Sequence, residues 1–452
     1  MSQSSQAWAN LFPNLSRRQK ILGIALPIIG GMASQNVLNL VDTAMVGSLG
    51  DAALAATGIG SFANFMAVAF VLGLSTGVQA MAARRLGEGR ESEMAVPLDG
   101  GLLMAFGFGV PLAAFLILFS PEIFSWLSGD PKVVEHGTPY LQIRLAAMVG
   151  VGMNFAFRGY WSAIHRTGLY LRTIVTMHVL NIFLNWVLIY GNLGAPKLGV
   201  FGAGLATTIS IYVGTAIYFL LAIRHARPQG FLSGLPSRHT MATMLRLSIP
   251  SSVQQFFFAA GMVALFWIIG RIGTAELAAA NVLMNLTLVG VLPALGMGIG
   301  AATLIGNALG RKDVDDARLW AWNVALLSMG LIAIIAASLA IFHRPILGVF
   351  LHDPNTLELA VIPLLLTASM IWIDSFGMVF MHAHFGAGDS RRVMVISVVA
   401  QWVFFLPGAY LLGPIWGFGL TAVWIWQAIY RVAQTATFVV SWRQGKWANI
   451  KV

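Results

Sequence analysis

Apolar segments of about 20 residues recur along the whole chain and are separated by short polar stretches. A helix needs about 20 apolar residues to cross a hydrocarbon core of roughly 30 Å, and its backbone groups must be hydrogen-bonded within the segment. The segments are too long and too continuously apolar for barrel strands. The pattern therefore predicts an all-α polytopic membrane protein. The twelve predicted transmembrane helices are residues 17–47, 51–83, 94–120, 134–163, 168–192, 201–225, 241–270, 274–309, 317–343, 355–386, 391–413 and 416–442.

The second half of the chain repeats the first. At a shift of 223 positions, Pro27 falls on Pro250 and Gly47 on Gly270. Each copy holds six predicted spans, and an even number means that both copies enter the membrane from the same side. We therefore expect two six-helix bundles related by a pseudo-twofold axis along the membrane normal. The predicted N-terminal bundle covers residues 1–226, the cytoplasmic linker 227–240 and the C-terminal bundle 241–452.

The basic residues lie mostly on one side of the predicted membrane. Of 27 Lys and Arg, four fall on the opposite side and three within spans, which leaves 20 on the first side. The four are Lys132, Lys197, Arg271 and Arg344, and the three are Arg144, Arg158 and Arg431. The basic side faces the cytoplasm, so both termini and the linker are predicted there. Because the basic residues are spread over every inner loop, we expect contact with anionic lipid and not with nucleic acid.

Composition and motifs exclude several classes of protein. The chain has no cysteine, which excludes disulfides and thiolate metal sites. It has no GxxxxGK[ST] loop for a nucleotide, so any energy must come from an ion gradient. Apart from the close pair His382 and His384, no convergent catalytic or metal-ligating set is visible, and no repeated filter sequence points to a channel. We therefore predict a transporter that is not an enzyme and has no cofactor besides its coupling ion.

Polar residues at membrane depth form stripes on three predicted helices of the first half. The stripes are Gln35, Asn39 and Asp42 on the first helix, Thr57, Ser61 and Asn64 on the second, and His178, Asn181 and Asn185 on the fifth. Spacings of three, four and seven place the members of a stripe on one helix face. Of 17 acidic residues, only Asp42 and Asp374 lie well inside spans, and an ionisable group there is a functional candidate by default. We predict a polar cavity with Asp42 at its centre.

The second half is apolar at most of these positions. At the shift of 223, the first-helix stripe corresponds to Phe258, Met262 and Leu265. A shift of 220, set by Gly168 on Gly388, places the fifth-helix stripe on Val398, Gln401 and Phe405. Only one of these six is polar, so the cation-responsive site is predicted in the first half. The same shift pairs Asn154 with Asp374, a differently charged position in the second half.

Each polar residue also has a structural interpretation. Asn and Gln in membrane helices often form interhelical hydrogen bonds worth under about 2 kcal/mol, and His178 fits a structural role. For Asp374 a structural ion pair fits as well as a transport role, and Arg431 lies deep enough to pair with a carboxylate. Asp42 has neutral amides around it and no obvious basic partner in the sequence, which favours a function. Pro27, fifteen residues earlier, lacks a backbone donor and supplies a kink point in the same helix.

Three segments resemble MATE (multidrug and toxic compound extrusion) transporters. They are ALPIIGGMASQNVLNLVDTAMVG in the first span, RRLGEG after the second, and NIFLNWVLIYGNLGAPKLGVFGAGLAT across the fifth and sixth. The DinF-like branch is implied by Asp42, by Pro27 and by the seventh-span sequence QQFFFAAG, where NorM-type members carry a glutamate. The resemblance covers nearly the whole chain and implies export of amphipathic, often cationic small molecules in exchange for protons or sodium ions. We expect a monomer in a bacterial inner membrane.

The resemblance also implies roles for individual residues. The candidate cation-coupling residues are Asp42, the fourth-helix Tyr140, the fifth-helix pair Asn181 and Asn185, and the sixth-helix Thr207. The resemblance also assigns Pro27 as the hinge and Asp374 as a second-lobe candidate. The polar stripes and the repeat alignment give the candidate substrate or cavity residues, which are Gln35, Asn39, Ser61, Asn64, Asn154 and His178. The amide of Asn185 replaces a family carboxylate, and one carboxylate instead of two disfavours sodium. Proton coupling is therefore expected, with Na⁺ at Asp42, Asn181 and Asn185 as the alternative.

The expected mechanism is antiport by alternating access. Ionised Asp42 keeps a hydrated pocket that accepts substrate, and a buried carboxylate takes up a proton more readily than one in water. Neutralisation lets the first helix bend at Pro27, which collapses the pocket and expels the substrate. The alternatives are a sodium-coupled multidrug antiporter and a lipid-intermediate flippase of the same superfamily, which we would expect to show more basic residues inside its cavity and extra spans.

Overall fold

The computed structural model describes residues 12–452, so the first eleven residues of the predicted N-terminal domain lie outside it. The described chain is helical throughout and contains no strand, which confirms the all-α prediction. The helices of the first half are α1 (Leu15–Gly47), α2 (Asp51–Leu72), α3 (Leu74–Gly87), α4 (Val96–Leu118), α5 (Ser120–Leu127), α6 (Pro131–Ala146), α7 (Met148–Ala163), α8 (Thr167–Tyr190) and α9 (Gly199–His225). Those of the second half are α10 (Arg238–Gly270), α11 (Thr274–Gly310), α12 (Val314–Ile341), α13 (His343–Phe350), α14 (Pro354–Ala387), α15 (Ser390–Val398), α16 (Leu406–Tyr410) and α17 (Gly419–Arg443).

Ten helical segments among residues 12–452 are long and apolar enough to cross a membrane, and an eleventh is the pair α6 and α7, which is bent by 44°. The twelfth predicted span, residues 416–442, corresponds to α17, which has 25 residues but is not among the ten. The middle of α17 is less apolar because it contains Gln427, Arg431 and Gln434. The helices therefore account for all twelve predicted spans.

The helix boundaries repeat with the same spacing as the sequence. Helices α1 and α10 begin and end 223 residues apart, and so do the short helices α5 and α13. An Asp-Pro pair starts α6 and α14 at matching positions: the side chains of Asp130 and Asp353 each accept a hydrogen bond from a backbone amide of the first turn. An aspartate in this position satisfies an amide that has no partner within the helix. The two copies therefore fold from the same local signals.

The copies differ in where their helices are interrupted. The first copy has a break at Gly73, between α2 and α3, and a bend at Ala147, between α6 and α7. The corresponding helices of the second copy, α11 and α14, run without a break. The predicted span 391–413 is also irregular, because two wide π-helical turns, Val399–Phe405 and Leu411–Ile415, flank α16. Such turns frequently occur at functional positions in membrane helices.

The described chain packs into two compact units. One, called here the N-unit, consists of residues 30–255, and the other, the C-unit, consists of residues 12–29 and 256–452. Each unit thus contains the beginning of the first helix of the other copy. The predicted boundaries at residues 226 and 241 describe the sequence repeat and stay a prediction.

Close helix contacts hold these exchanged segments. In the C-unit, Gly296 of α11 faces Ile29 of α1, and a Cβ atom at Gly296 would overlap the Ile29 side chain. In the N-unit, the matching Gly73 faces Ser248 and Ser252 of α10, and a Cβ atom there would overlap the α10 backbone. Small residues let membrane helices approach closely enough for dispersion contacts to stabilise the pair.

Polar contacts fix the ends of the exchanged segments. Arg17 of α1 pairs with Asp316 of α12, donates to Asn323 Oδ1 at 3.0 Å, and lies 4.1 Å from the Trp320 ring centre. In the N-unit, the buried Arg85 donates to the Thr240 hydroxyl of α10 at 3.3 Å. One copy therefore uses an ion pair where the other uses a hydroxyl group.

Candidate functional site

The carboxylate of Asp42 lies in the last third of α1, within the N-unit, and is partly buried. Helix α1 is continuous from Leu15 to Gly47 with Pro27 inside it. Asn185 of α8 donates from Nδ2 to Asp42 Oδ1 at 2.6 Å, although 143 residues separate the two in the chain. The rotation of α1 and α8 therefore turns two of the predicted polar stripes toward each other.

A chain of hydrogen bonds extends from Asp42 to α9. The Asn185 amide also donates to Asn181 Oδ1 at 3.0 Å, and Asn181 contacts the Thr207 hydroxyl at 3.0 Å. In the alternative orientation of the Asn181 amide, which replaces its bond from Asn185, the nitrogen donates to Asp42 Oδ1 at 3.2 Å and the oxygen accepts from Thr207. Four of the five predicted cation-coupling residues thus form one connected group.

The hydrogen-bond partners of Asp42 are neutral. Among the described residues, no Lys or Arg forms an ion pair with this carboxylate. Arg144 of α6 interacts with Asp42 through space, as a favourable Coulomb contact without a hydrogen bond. The Oδ1 atom of Asn185 is buried and has no hydrogen-bond partner in the described residues. The site therefore holds a carboxylate that accepts from amides and, beside it, an unused acceptor.

A second hydrogen-bonded chain lies one to two turns earlier on α1. His178 Nδ1 contacts the Ser34 hydroxyl at 2.9 Å, and its Nε2 contacts Gln35 Oε1 at 3.1 Å. Gln35 in turn donates to Asn39 Oδ1 at 3.1 Å. Both amide side chains are exposed, whereas His178 is buried. This chain links α1 to α8 a second time and continues the polar face that contains Asp42.

The other predicted residues lie in separate contacts. Tyr140 is buried, and its hydroxyl meets Ser61 of α2 at 2.8 Å, not the Asp42 group. Thr57 bonds to the backbone of its own helix through Ala53 and Leu54.

Two further amides contact neither Asp42 nor its partners. Asn64 is buried with an unpartnered Oδ1 atom. Asn154 accepts from Thr215 at 2.9 Å and donates to the Ile211 carbonyl at 3.3 Å, which ties α7 to α9. Their predicted cavity roles stay predictions.

Asp374, the acidic position of the second half, has a charged partner. Arg431 of α17 lies with Nη1 at 3.5 Å from Asp374 Oδ1, in the C-unit. The two side chains are 24% and 13% exposed, so the pair is mostly withdrawn from solvent. Asp42 and Asp374 therefore differ in the charge of their partners.

Sequence reasoning gave no role to two residues that the structure places at these sites. Arg144 lies near Asp42 and 6.0 Å from the Tyr140 ring centre, one helical turn further along α6. Ser34 joins the His178 chain from a position outside the stripe. An arginine inside a span is a functional signal in itself, so Arg144 could have been found from the sequence.

Comparisons with known proteins agree on the architecture. The MatE family model matches residues 27–187 and 250–411, together more than half of the chain, and its two matches start at Pro27 and Pro250. A solved outward-facing multidrug resistance MATE family transporter of the MOP superfamily superimposes with a TM-score of 0.89 at 21% identity and covers 96% of this chain and 97% of that one. This likeness concerns the fold.

Curated relatives span nearly the full length of the chain. A probable multidrug resistance protein NorM of Thermotoga maritima is 25% identical over 439 residues, covering 95% of this chain and 93% of its own. Another probable NorM, of Rhizobium meliloti, is 27% identical over 458 residues, covering 98% and 95%. The predicted DinF-like branch stays a prediction. The family match, the helical fold and the membrane-spanning segments together show that the chain is a multi-pass membrane transporter belonging to the MatE family.

Proposed function

We propose that the protein is a secondary antiporter that exports amphipathic or cationic small molecules, including drugs, in exchange for protons. The names of the relatives as multidrug resistance proteins support the substrate class. The bacterial relatives support a bacterial inner membrane, and the basic bias of one side supports both termini in the cytoplasm. The observation that carries the proposal is a partly buried carboxylate, Asp42, whose hydrogen-bond partners are neutral amides.

Amide partners suit a group that must change charge. An amide donates to an ionised carboxylate through its nitrogen and accepts from a protonated one through its oxygen. Asn185 now donates to Asp42, and its Oδ1 atom is unused. A half-turn of that amide would let protonated Asp42 donate to it. Both protonation states can therefore be satisfied, whereas an arginine partner would be left as an unpaired charge once the carboxylate became neutral.

In the proposed cycle, ionised Asp42 holds the polar group of α1, α8 and α9 in a hydrated state that accepts substrate. Protonation removes the cost of placing Asp42 in a drier environment. Helix α1 then bends at Pro27, where a backbone donor is missing, and the polar group closes on itself and releases the substrate. Proton and substrate thus oppose each other in one unit, and this coupling is reciprocal. No cofactor takes part besides the proton.

Transport in vesicles tests the coupling. Protein reconstituted in liposomes is given an inward-directed proton gradient, and the movement of a fluorescent organic cation such as ethidium is recorded. We expect Asp42→Asn to lower gradient-driven transport to near the gradient-free rate, because an amide side chain cannot take up the coupling proton. The exposed Asp51→Asn is the matched control, since it makes the same chemical change outside the group. Full-rate transport by Asp42→Asn would disprove the proposal.

The same vesicles separate the ions. With a sodium gradient and equal pH on both sides, the proposal predicts no ethidium movement above the gradient-free rate. Movement driven by sodium alone would instead assign Na⁺ to Asp42, Asn181 and Asn185, with Asn185 Oδ1 as one of its oxygen ligands.

A proline pair tests the hinge. Pro27→Ala restores a backbone donor in α1, and Pro250→Ala does the same at the matching position of α10, where Leu265 stands in place of the aspartate. We expect the first substitution to slow proton-driven transport several-fold more than the second. Equal effects would show that bending of α1 is not linked to Asp42.

A further inference from the structure

The C-unit contains a small, partly open cavity that the proposed proton cycle does not use. Helices α11, α14 and α17 line it, and Asp374 and Arg431 are its charged residues. The rest of the wall is largely apolar and includes Leu366, Met370 and Trp424. A mostly apolar wall with a few placed polar groups is the general form of a small-molecule site.

The ion pair in this cavity is incompletely satisfied. Its single contact joins Arg431 Nη1 to Asp374 Oδ1 at 3.5 Å, the outer limit of a hydrogen bond. A guanidinium group carries five N–H donors and can bind a carboxylate through two parallel bonds. In the described residues, no other hydrogen bond or ion pair engages either side chain. Most of the donors of Arg431 and one oxygen of Asp374 are therefore available to a ligand.

A third polar group faces the same space. Gln427 lines the cavity one helical turn before Arg431 on α17, and its Oε1 atom is buried without a hydrogen-bond partner in the described residues. A buried unpaired acceptor is costly and calls for a donor from elsewhere. The hydroxyl groups of the wall are already engaged: Thr367 accepts from Trp424 Nε1 at 3.1 Å, and Thr287 donates to a carbonyl of its own helix. The free groups are thus one carboxylate oxygen, one amide oxygen and a guanidinium edge.

We propose that this cavity binds a compact zwitterion, an amphipathic molecule whose ammonium and carboxylate groups are two or three bonds apart. Its ammonium would donate to Asp374 and Gln427, and its carboxylate would accept from Arg431. The two charges of the ligand and the two charges of the side chains then alternate in sign, so each charge is attracted by its neighbours. The apolar part of the ligand would lie against Trp424 and Met370.

Simple ions fit the cavity less well. A monocation at Asp374 meets the like charge of Arg431 at close range, and a monoanion at Arg431 meets Asp374. The guanidinium already acts as the counter-ion of the carboxylate, so the cavity as a whole is neutral. Only a ligand that carries both charges gives Asp374 and Arg431 each a further partner of opposite charge. The inference rests on the proposed function solely for the view that the occupant is a transported substrate.

Equilibrium binding to purified full-length protein tests the inference without a gradient. The probe is Nε-dansyl-lysine, which keeps its α-ammonium and α-carboxylate groups on a fluorescent apolar body. Its methyl ester is the matched monocation, and its Nα-acetyl derivative is the matched monoanion. We expect the zwitterion to bind at least about tenfold more tightly than either derivative, because each derivative leaves a charged partner unpaired. Equal binding of the three probes, or tightest binding of the ester, would overturn the inference.

Two variants locate the selectivity. The double variant Asp374→Asn/Arg431→Gln removes both charges together and leaves no unpaired ion, and we expect it to bind the three probes alike. The single variant Gln427→Leu leaves the ion pair in place and should weaken the two ammonium-bearing probes while the acetylated probe binds as before. Retained selectivity in the double variant, or equal weakening of all three probes by Gln427→Leu, would place the selectivity elsewhere.

The outcomes are independent of the transport test. If the zwitterion binds most tightly but Asp42→Asn transports at the full rate, only the proposed proton coupling is refuted. If Asp42→Asn loses proton-driven transport but the three probes bind equally, only the zwitterion site is refuted.

Discussion

Two intramembrane carboxylates of this protein have partners of opposite kinds. Asp42, in the N-unit, accepts a hydrogen bond from the neutral amide of Asn185. In the alternative orientation of the Asn181 amide, Asp42 accepts one from Asn181 as well. Asp374, in the C-unit, lies 3.5 Å from the guanidinium of Arg431. The two carboxylates occupy different positions of the sequence repeat, since Asp42 matches Leu265 and Asp374 matches Asn154. They also differ in the chemistry of their hydrogen-bond partners.

The difference teaches how a duplicated protein can separate two tasks. A carboxylate whose hydrogen-bond partners are amides can gain a proton without breaking an ion pair. A carboxylate paired with arginine would leave an uncompensated cation on protonation. One unit can then serve the coupling ion, and the other can offer a pair of opposite charges to a ligand.

The strongest test gives the first site the partner of the second. Asn185→Arg places a guanidinium beside Asp42, and we expect proton-driven ethidium transport to fall to the level of Asp42→Asn, since the carboxylate would be held in its ionised form. The measurement is dye movement in vesicles under a proton gradient. Asn185→Gln keeps an amide and is the matched control, with transport nearer to the unmodified protein. If Asn185→Arg transports at the rate of that control, the charge of the partner does not determine whether Asp42 couples to protons.

Removing one partner of the second site should destabilise the protein. Asp374→Asn leaves Arg431 without a counter-ion in a mostly buried position, which costs about 3 kcal/mol of unfolding free energy, the low end for such pairs because the arginine is still 24% exposed. Chemical unfolding in detergent, followed by tryptophan fluorescence, measures the change.

The double variant Asp374→Asn/Arg431→Gln is the control for that experiment. We expect it to recover most of the loss, because no charge is left unpaired. If it is as unstable as the single variant, the ion pair is not what distinguishes the C-unit.

The glycine contacts test whether the two units share their packing. Gly73→Ala drives a methyl group into the backbone of α10, and Gly296→Ala drives one into the flexible side chain of Ile29. We expect losses of about 1–2 kcal/mol, larger at Gly73 because a backbone moves less readily than a side chain. Thermal unfolding of the two variants gives the comparison. Gly330→Ala, with open space at its Cβ position, should be neutral or slightly stabilising.

The smallest expected effect concerns the buried tyrosine. Tyr140→Phe removes one hydroxyl contact, to Ser61, and should lower stability by about 1 kcal/mol or less with little effect on proton coupling, because Tyr140 does not touch the Asp42 group. Vesicle transport and thermal unfolding of the same preparation separate the two effects. A loss of coupling as large as that of Asp42→Asn would extend the first site to α6.

The positions of helices were well predicted from the sequence. The predicted span 17–47 became Leu15–Gly47, and 51–83 became the pair α2 and α3, which ends at Gly87. Apolar periodicity and length suffice for this, since a membrane helix needs no partner to satisfy its backbone. The bend at Ala147 and the π-helical turns near Pro407 and Pro414 were not predicted, because they depend on how neighbouring helices pack.

The candidate site was predicted in part. The stripes placed Asp42, Asn181 and Asn185 on facing helices, and the structure brings them within hydrogen-bonding distance. The same reasoning grouped Thr57 with them, whereas its hydroxyl bonds to carbonyl groups of its own helix. Spacing along one helix says which residues share a face, but not how that helix is rotated toward the next one.

The sequence by itself determined the helices, the duplication and the short set of polar residues from which a site could be built. These follow from local rules, namely apolar length, periodicity and repeated caps. Only the tertiary structure decided that α1 and α10 each contribute their first turns to the other copy's packing unit, and that Asp374 meets Arg431 while Asp42 meets amides. Such contacts join residues far apart in the chain, and a change of about 1 Å in helix position makes or removes them.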